Sequence, residues 1–173
     1  MRDVTPHDVD AYVRMRCDPV MMTHLGGPLP REGMEGKVAR DAGEAAADVS
    51  WIRMIVSDGT TAGTTPGTVV GGVSLWSSQL HDEPVSEIAW MVLPPFQGRG
   101  VAGAFVRALL AEAAQDGRWG TVHALPAVGN PGSNGVCRSV GFDLLGETDL
   151  LWAGRPLRVN HWTVDPAAVD AAR

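Results

Sequence analysis

The stretch VLPPFQGRGVAGAFVRALLAEAA, residues 92–114, decides the fold, because a strand runs directly into a helix within it. The apolar run 87–93 stops at Pro94-Pro95, and neither proline can donate a hydrogen bond to a neighbouring strand. After the glycines, apolar residues recur at three- and four-residue spacings, which places them on one helical face. These residues are Ala102, Phe105, Val106, Leu109, Leu110 and Ala113. The pattern predicts a strand, a glycine turn and an amphipathic helix in succession.

The glycine turn predicts an anion site at the start of this helix. Gly98 and Gly100 have no side chains that would keep a ligand away from the backbone. The N–H groups of the first helical turn have no partners inside the helix, and the helix dipole is positive at this end. The turn is therefore expected to attract a phosphate or pyrophosphate.

Two glycine motifs compete for this turn, and a tight turn without a ligand is the third interpretation. GRGVAG, residues 98–103, spells the dinucleotide fingerprint G-x-G-x-x-G. That fingerprint needs a strand running directly into its first glycine and an acidic residue about twenty positions further on. Here residues 94–97 intervene, and the next predicted strand, 119–125, contains no Asp or Glu. The context argues against a dinucleotide site.

The second motif carries a family resemblance. Val92-Leu93-Pro94 followed by QGRGVA, residues 97–102, resembles the acetyl-CoA motif of the GNAT N-acetyltransferase superfamily, V-x-P-x-x-[QR]-x-x-G-x-[GA]. Asn130-x-x-Ser133, followed by Gly141-Phe142, is similar to the second motif of that family. The opening VTPHDVDAYVRMRCDPVMMTHLGG and the closing RPLRVNHWTVDP resemble the branch of the ribosomal-protein alanine acetyltransferases RimJ and RimL.

The order of predicted elements agrees with the fold that this resemblance implies. Two helices come first, antiparallel strands follow, and a strand–helix–strand crossover fills the second half, so the sheet is mixed. We expect an α/β (α+β) GNAT fold with about six to seven strands flanked by helices, in a single domain over residues 1–173. The predicted strands are 2–4, 51–56, 68–76, 85–93, 119–125, 142–152 and 157–164, and the predicted helices follow Thr5 and Gly98 and cover 19–24, 31–48 and 130–140.

The predicted connections are loops with turn compositions. DGTTAGTTPG, residues 58–67, is rich in Gly, Thr and Pro and should be an exposed turn between two paired strands. A second loop is expected over 77–84, and a closing hairpin is expected around AGRP, residues 153–156.

Composition limits the possible partners. The chain is 45% hydrophobic and 20% charged, which is typical of a soluble globular protein. Its net charge of −6 disfavours a nucleic-acid partner and mildly favours cationic substrates. No apolar run is long enough to span a membrane, and the N-terminus lacks a signal-peptide core, so we expect a cytoplasmic protein. Cys17 and Cys137 have no metal-ligand spacing, so we expect two free thiols and no metal.

The resemblance assigns the cofactor-binding residues. It implies that acetyl-CoA lies along the splayed end of the central strand, where main-chain groups of Met91, Val92 and Leu93 bind the pantetheine. It implies that Asn130 and Ser133 contact the pantetheine arm, although Asn130 also fits a helix cap before Pro131. The pyrophosphate is expected at the turn formed by Gln97, Gly98, Arg99, Gly100, Val101 and Ala102.

Glu87 is the candidate catalytic base, because it is the only carboxylate in the strand 85–93. Period-two alternation places it on the same face as Ala89 and Met91, although an exposed strand-end glutamate explains it equally well. His81, Asp82 and Glu83 are expected to be solvated, and structural roles are favoured for His24 and His161. Many GNAT members carry a tyrosine, as an acid for the leaving thiolate, at the position of Cys137.

Together these residues predict an N-acetyltransferase. The acetyl group would pass from acetyl-CoA to a primary amine of a small molecule or to a protein or peptide N-terminus, by direct attack in a ternary complex. A GNAT-like module that binds CoA without turnover is the alternative, and a homodimer is left open as the assembly.

Overall fold

Seven strands form one mixed sheet in the computed structural model, which describes residues 1–60 and 63–169. The strands are β1 (Arg2–Asp3), β2 (Trp51–Val56), β3 (Val69–Leu80), β4 (Glu83–Val92), β5 (Val122–Ala124), β6 (Asp143–Trp152) and β7 (Arg155–Val164). Their order across the sheet is β1-β2-β3-β4-β5-β7-β6, and the β4–β5 pair is parallel while the others are antiparallel. The predicted mixed sheet is confirmed.

Helices cover both faces of the sheet. They are α1 (Val9–Arg16), α2 (Met34–Ala46), α3 (Val101–Asp116) and α4 (Pro131–Val140). Arg53 of β2 forms an ion pair with Glu112 of α3, so α3 lies on the Arg53 face, whereas the opposite face at Gly72 lies against Met15 of α1. No helix among residues 1–60 and 63–169 is long and apolar enough to cross a membrane.

The central helix α3 forms where the sequence predicts it. A 3-10 turn, Pro94–Phe96, separates it from β4, and Gly100 at its N-terminus has φ of 76°. That left-handed conformation is one that glycine adopts without the steric cost other residues meet. The predicted apolar face packs on the sheet, with Val106, Leu109 and Leu110 at 0% exposure.

The sheet splits between β4 and β5. These parallel strands pair only at Ser86 opposite Val122 and Glu87 opposite His123. Because β5 ends at Ala124 while β4 continues to Val92, the last residues of β4 have no neighbouring strand on that side. The gap opens toward the N-terminus of α3.

The structure corrects several predicted boundaries. The loop predicted over 77–84 is wrong, because β3 and β4 continue to a two-residue turn, His81-Asp82, with φ of 51° and 67°. Two central residues with positive φ form the turn type that best matches the twist of a hairpin. The strand predicted over 119–125 is shorter, at Val122–Ala124. Residues 61 and 62 of the predicted turn 58–67 lie outside the described residues.

The short helix predicted over 19–24 is also wrong. The Asp18 carboxylate accepts hydrogen bonds from the N–H groups of Val20 and Met21, which makes a local turn, and only a 3-10 turn, Thr23–Leu25, follows. These are the bonds of a helix N-cap, but after the Met22 N–H donates to the C=O of Asp18 the next bond runs from Thr23 to Val20, so the α-helical pattern stops after one turn. By contrast, the capping box that Thr5 and Asp8 make before α1 is present as predicted.

Candidate active site

A cleft of about 1580 Å³ lies where β4 and β5 separate. Its lining runs from the turn before α3, past the open side of β4, to the hairpin of β6 and β7 and to the helices α1 and α2. Elements from both halves of the chain therefore meet at one cavity. All the predicted site residues except Leu93 and Arg99 line it.

Val92 presents its main-chain groups to the cleft, whereas its two neighbours do not. The N–H of Leu93 donates to the C=O of Val70 at 2.9 Å, so Leu93 still pairs with β3. Successive residues of a strand point their main-chain groups to opposite sides, so those of Met91 also point to β3. The expectation that the main-chain groups of Met91, Val92 and Leu93 are all free is therefore wrong for Met91 and Leu93.

Gln97 makes hydrogen bonds within the turn that the sequence did not predict. Its side-chain amide donates to the C=O of Val92 at 2.8 Å, and its own N–H donates to the C=O of Pro94 at 3.2 Å. The side chain therefore satisfies the carbonyl that the split sheet leaves unpaired. The Val92 N–H is the group of β4 that remains for a ligand at this point.

The turn before α3 fits an anion. Gly98 and Gly100 have φ of 70° and 76°, and a Cβ built on either would meet nothing within 4 Å. Helix α3 begins at Val101 without a side-chain cap, and the N–H groups of Val101 and Ala102 have no hydrogen-bond partner among the residues that the structure describes. The exposed Arg99 adds a positive charge beside them. Pyrophosphate is the kind of group that such a helix end accepts.

Asn130 caps α4 and also lines the cleft. Its Oδ1 accepts a hydrogen bond from the N–H of Ser133 at 3.0 Å. The Asn130 amide nitrogen and the Ser133 hydroxyl make no hydrogen bond to other described residues. The cap role is thus present, and both side chains retain a group for a ligand.

Asn134 is a structural residue that the sequence analysis missed. At 2% exposure it donates to the carbonyl oxygens of Ala127 (2.9 Å) and Asn130 (2.7 Å). Its Oδ1 accepts from Asn160 at 2.7 Å and from the indole of Trp162 at 2.9 Å. The side chain fixes the segment before α4 to β7. In the sequence, the signal for this role was an asparagine within a predicted helix, four residues after the capping Asn130.

Glu87 lies half-buried in the cleft beside Trp76 and Ser78. Trp76 is its partner in β3, and Glu87, Ala89 and Met91 share one face as predicted. Burial raises the pKa of Glu87, and a hydrogen bond from the Ser78 hydroxyl opposes this only in part. A carboxylate with a raised pKa is a stronger proton acceptor than an exposed one, which suits a general base.

Of the other titratable side chains considered as bases, His81, Asp82, Glu83 and His161 lie away from the cleft. His81 and Thr148 make a hydrogen bond of 2.7 Å at the exposed hairpin turn. His161 contacts His123 at 2.8 Å between ring nitrogens, and burial is the main cause that lowers the pKa of both. Neither ring lines the cleft, whereas His24 does. Asp82 and Glu83 are exposed.

Cys137 is buried in the core at 0% exposure and does not line the cleft. Burial raises the pKa of its thiol to about 12, and the charge of Arg138 opposes this only weakly. The thiol is therefore protonated at neutral pH and faces apolar side chains. Its position and its pKa both argue against a direct part in chemistry.

A buried polar cluster on the opposite wall was also missed. The Tyr12 hydroxyl donates to Asp41 at 2.7 Å, and Lys37 forms an ion pair with Asp41 at 3.1 Å. Burial and the Asp41 charge raise the pKa of Tyr12, so its phenol stays neutral. The cluster ties α1 to α2 and neutralises Asp41. Among the described residues no group of acidic, His or Cys side chains is arranged to hold a metal.

Comparison with known proteins gives a family match. Residues 1–143 match the family profile "Acetyltransferase (GNAT) domain". No curated protein matches the sequence significantly.

Solved structures share the fold at low sequence identity. An acetyltransferase from Salmonella typhimurium that modifies the N-terminal serine of ribosomal protein L7/L12 superposes with a TM-score of 0.74 at 18% identity, over 95% of this chain and 92% of that one. A spermidine N-acetyltransferase chimera of Vibrio cholerae and human sequences gives 0.73 at 15% identity, over 96% and 94%. Aminoglycoside acetyltransferase AAC(6')-Ib in complex with coenzyme A superposes with a TM-score of 0.73 at 14% identity, over 95% of this chain and 92% of that one.

Proposed function

The chain belongs to the GNAT acetyltransferase family, and from that premise we propose that it transfers an acetyl group from acetyl-CoA to a primary amine by direct attack in a ternary complex. The acceptor is a small-molecule amine or a peptide N-terminus. The observation that carries the proposal is a single cleft that holds a helix end with free N–H groups, an unpaired strand N–H and a half-buried carboxylate.

The residues that would hold acetyl-CoA follow from the unpaired groups. The N–H groups at the start of α3 accept the pyrophosphate, and the Val92 N–H binds the pantetheine like an added strand. The amide nitrogen of Asn130 is a further donor at the rim. When bound, acetyl-CoA supplies an acetyl group activated as a thioester. The chain needs only to orient it, and main-chain donors on a strand and a helix are rigid enough to do so.

Glu87 acts on the acceptor amine. An amine is a nucleophile only when deprotonated, so a proton acceptor in the cleft raises the reactive fraction at neutral pH. The nitrogen lone pair forms the new C–N bond, the C–S bond breaks, and the amine proton passes to the Glu87 carboxylate directly or through one water.

The leaving thiolate needs no acid from the chain. Thiols are far more acidic than alcohols, with a cysteine thiol at a pKa of about 8.5, so a thiolate is a competent leaving group and can take its proton from solvent. This fits the buried position of Cys137, which is not among the residues that line the cleft. The mechanism therefore requires a base but no dedicated acid.

The test is turnover together with its pH dependence. Wild-type protein is incubated with acetyl-CoA and a panel of amines, and both free thiol and acetylated amine are quantified. Glu87→Gln should lower kcat by about 10²- to 10⁴-fold at pH 7, the range for general acid–base catalysis, with CoA affinity unchanged. The loss should shrink toward pH 10, where solvent alone deprotonates the amine.

Glu83→Gln is the matched control, since Glu83 begins the same strand but is exposed and does not line the cleft. It should behave as wild type. If CoA binds but no amine in the panel yields free thiol, the protein is a CoA-binding module. Wild-type kcat in Glu87→Gln at every pH would remove Glu87 from the reaction.

A further inference from the structure

Large apolar side chains line the cleft that holds Glu87. Trp76 stands directly opposite Glu87 on β3, and both residues line the cleft. The hairpin of β6 and β7 reaches the same cleft at its tip with three more large apolar side chains, Leu150, Trp152 and Leu157. An acceptor that places its amine at Glu87 therefore meets aromatic and aliphatic surface beyond the amine.

The charges across from Glu87 do not favour a second ammonium group. The helices α1 and α2 line the cleft with three cations, Arg16, Lys37 and Arg40, and with two carboxylates, Asp41 and Glu44. Asp41 is neutralised by Lys37, whereas the exposed Glu44 accepts a hydrogen bond from Ser50 and keeps its negative charge. The net charge of −6 of the whole chain therefore comes from residues outside this wall. The wall formed by α1 and α2 carries three cations against two carboxylates, so it repels a polycation overall.

The hairpin tip is held in place by one arginine. Arg155 donates to the carbonyl oxygens of Gly26 and Gly27 at 2.7 Å each, and to that of Pro28 at 3.4 Å. Its side chain packs so closely that a Cβ on Gly26 would lie 2.9 Å from the Arg155 Cδ. Trp152 is the strand partner of Arg155 across the turn. The clamp fixes Trp152 at the cleft.

We propose that the acceptor is a primary monoamine whose amino group is attached to an apolar, preferably aromatic, body, and that the hairpin tip selects it. Trp76 and Trp152 contact that body, and Arg155 is a positioning residue that acts through Trp152. Burying an aromatic body between aromatic side chains gains free energy from area and from ring packing, whereas a polyamine gains neither and meets Arg16 and Arg40. The proposal rests on the acetyltransferase function proposed above and names its substrate class.

The experiment compares amines and variants in one steady-state assay. Phenethylamine and tryptamine represent the proposed class, ethylamine lacks the aromatic body, spermidine and kanamycin are polycations, and peptides beginning with Phe or Ala test the peptide source. We expect kcat/KM for phenethylamine to exceed that for ethylamine and for spermidine by about tenfold or more, the discrimination typical of apolar pockets. Among peptides, the one that begins with Phe should be the better acceptor.

Two variants locate the selectivity. Trp152→Ala should raise KM for phenethylamine about tenfold and leave KM for ethylamine and the affinity for CoA unchanged. Leu145→Ala is its control, because Leu145 lies on the same strand, is 63% exposed and does not line the cleft. Arg155→Ala should lower the phenethylamine-to-ethylamine ratio of kcat/KM in the same way. Arg158→Ala, which removes an exposed arginine paired with Glu147 and Asp149, should not.

The ratio of kcat/KM for phenethylamine to that for ethylamine separates a loss of selectivity from a loss of folded protein, because partial unfolding lowers both values together. Equal or better turnover of spermidine or kanamycin than of phenethylamine would overturn this proposal and leave the acetyltransferase function intact. Unchanged selectivity in both Trp152→Ala and Arg155→Ala would overturn the role of the hairpin tip. Absence of turnover with every amine, despite CoA binding, would overturn the proposed function and this inference with it.

Discussion

Replacing Gly100 by glutamate tests whether the turn before α3 binds the cofactor. Gly100 has φ of 76°, and a Cβ there would meet nothing within 4 Å, so the variant suffers no steric overlap. The left-handed conformation costs a non-glycine residue about 1–2 kcal/mol. For a chain of this size, that lowers Tm by about 2–8 °C. The variant should therefore fold.

Binding should suffer far more than stability. The new carboxylate projects into the space that the unpaired N–H groups of α3 face, where an anionic ligand must lie. Two unit charges about 4 Å apart repel by about 4 kcal/mol at an effective dielectric constant of 20. Since about 1.4 kcal/mol changes Kd tenfold, the expected loss of CoA affinity is several hundredfold to about a thousandfold.

Gly117→Glu supplies the matched control. Gly117 ends the same helix with φ of 78°, and a Cβ there also meets nothing within 4 Å. The backbone strain is the same, and a carboxylate at the C-terminal end opposes the helix dipole, so Tm should fall somewhat more than in Gly100→Glu. Calorimetric titration with CoA and thermal unfolding are measured on both. Wild-type affinity in a folded Gly100→Glu protein would refute the anion site.

Three further outcomes follow from buried groups. Glu87→Gln should unfold at a higher temperature than wild type at pH 7–8, because burial raises the pKa of Glu87 and its ionisation then destabilises the folded state as pH rises. Melting curves taken across pH should show this gain in Tm vanish below about pH 4, where Glu87 is protonated in both the folded and the unfolded state. Cys137→Ala should keep most of its acetyltransferase activity, and mass spectrometry should find no acetyl thioester on the wild-type thiol, whose pKa is about 12. Asn134→Ala should lower the free energy of unfolding by about 2–4 kcal/mol in urea titration, because it leaves buried donors unpaired, whereas exposed Asp143→Asn should change it little.

Local sequence determined the central part of this protein. Prolines that cannot pair, glycines that accept positive φ and an apolar face with helical spacing are all properties of residues close together in the chain, so the strand, turn and helix over 87–116 follow from them. The same is true of Asn130, whose cap bond spans three residues. Alternation along one strand also predicts that Glu87, Ala89 and Met91 share one face.

Turn chemistry was harder to predict where a residue adopts an unusual conformation. His81-Asp82 makes a two-residue hairpin turn without glycine, so the sequence 77–84 resembled a loop although it continues two strands. Asp18 caps a turn rather than a helix, because the residues after it do not continue the hydrogen-bond pattern.

Tertiary structure alone decided which groups the site presents. Whether Val92 or Leu93 offers a free N–H depends on pairing with Val70 in another strand, and the raised pKa of Glu87 depends on burial. The clamp between Arg155 and Gly27 joins positions 128 residues apart. Such contacts depend on the three-dimensional arrangement of distant elements, which short-range periodicity does not encode. The sequence therefore predicts the kind of chemistry that the cleft performs, whereas the fold determines which donors are free, which carboxylate accepts the proton and which side chains form the walls.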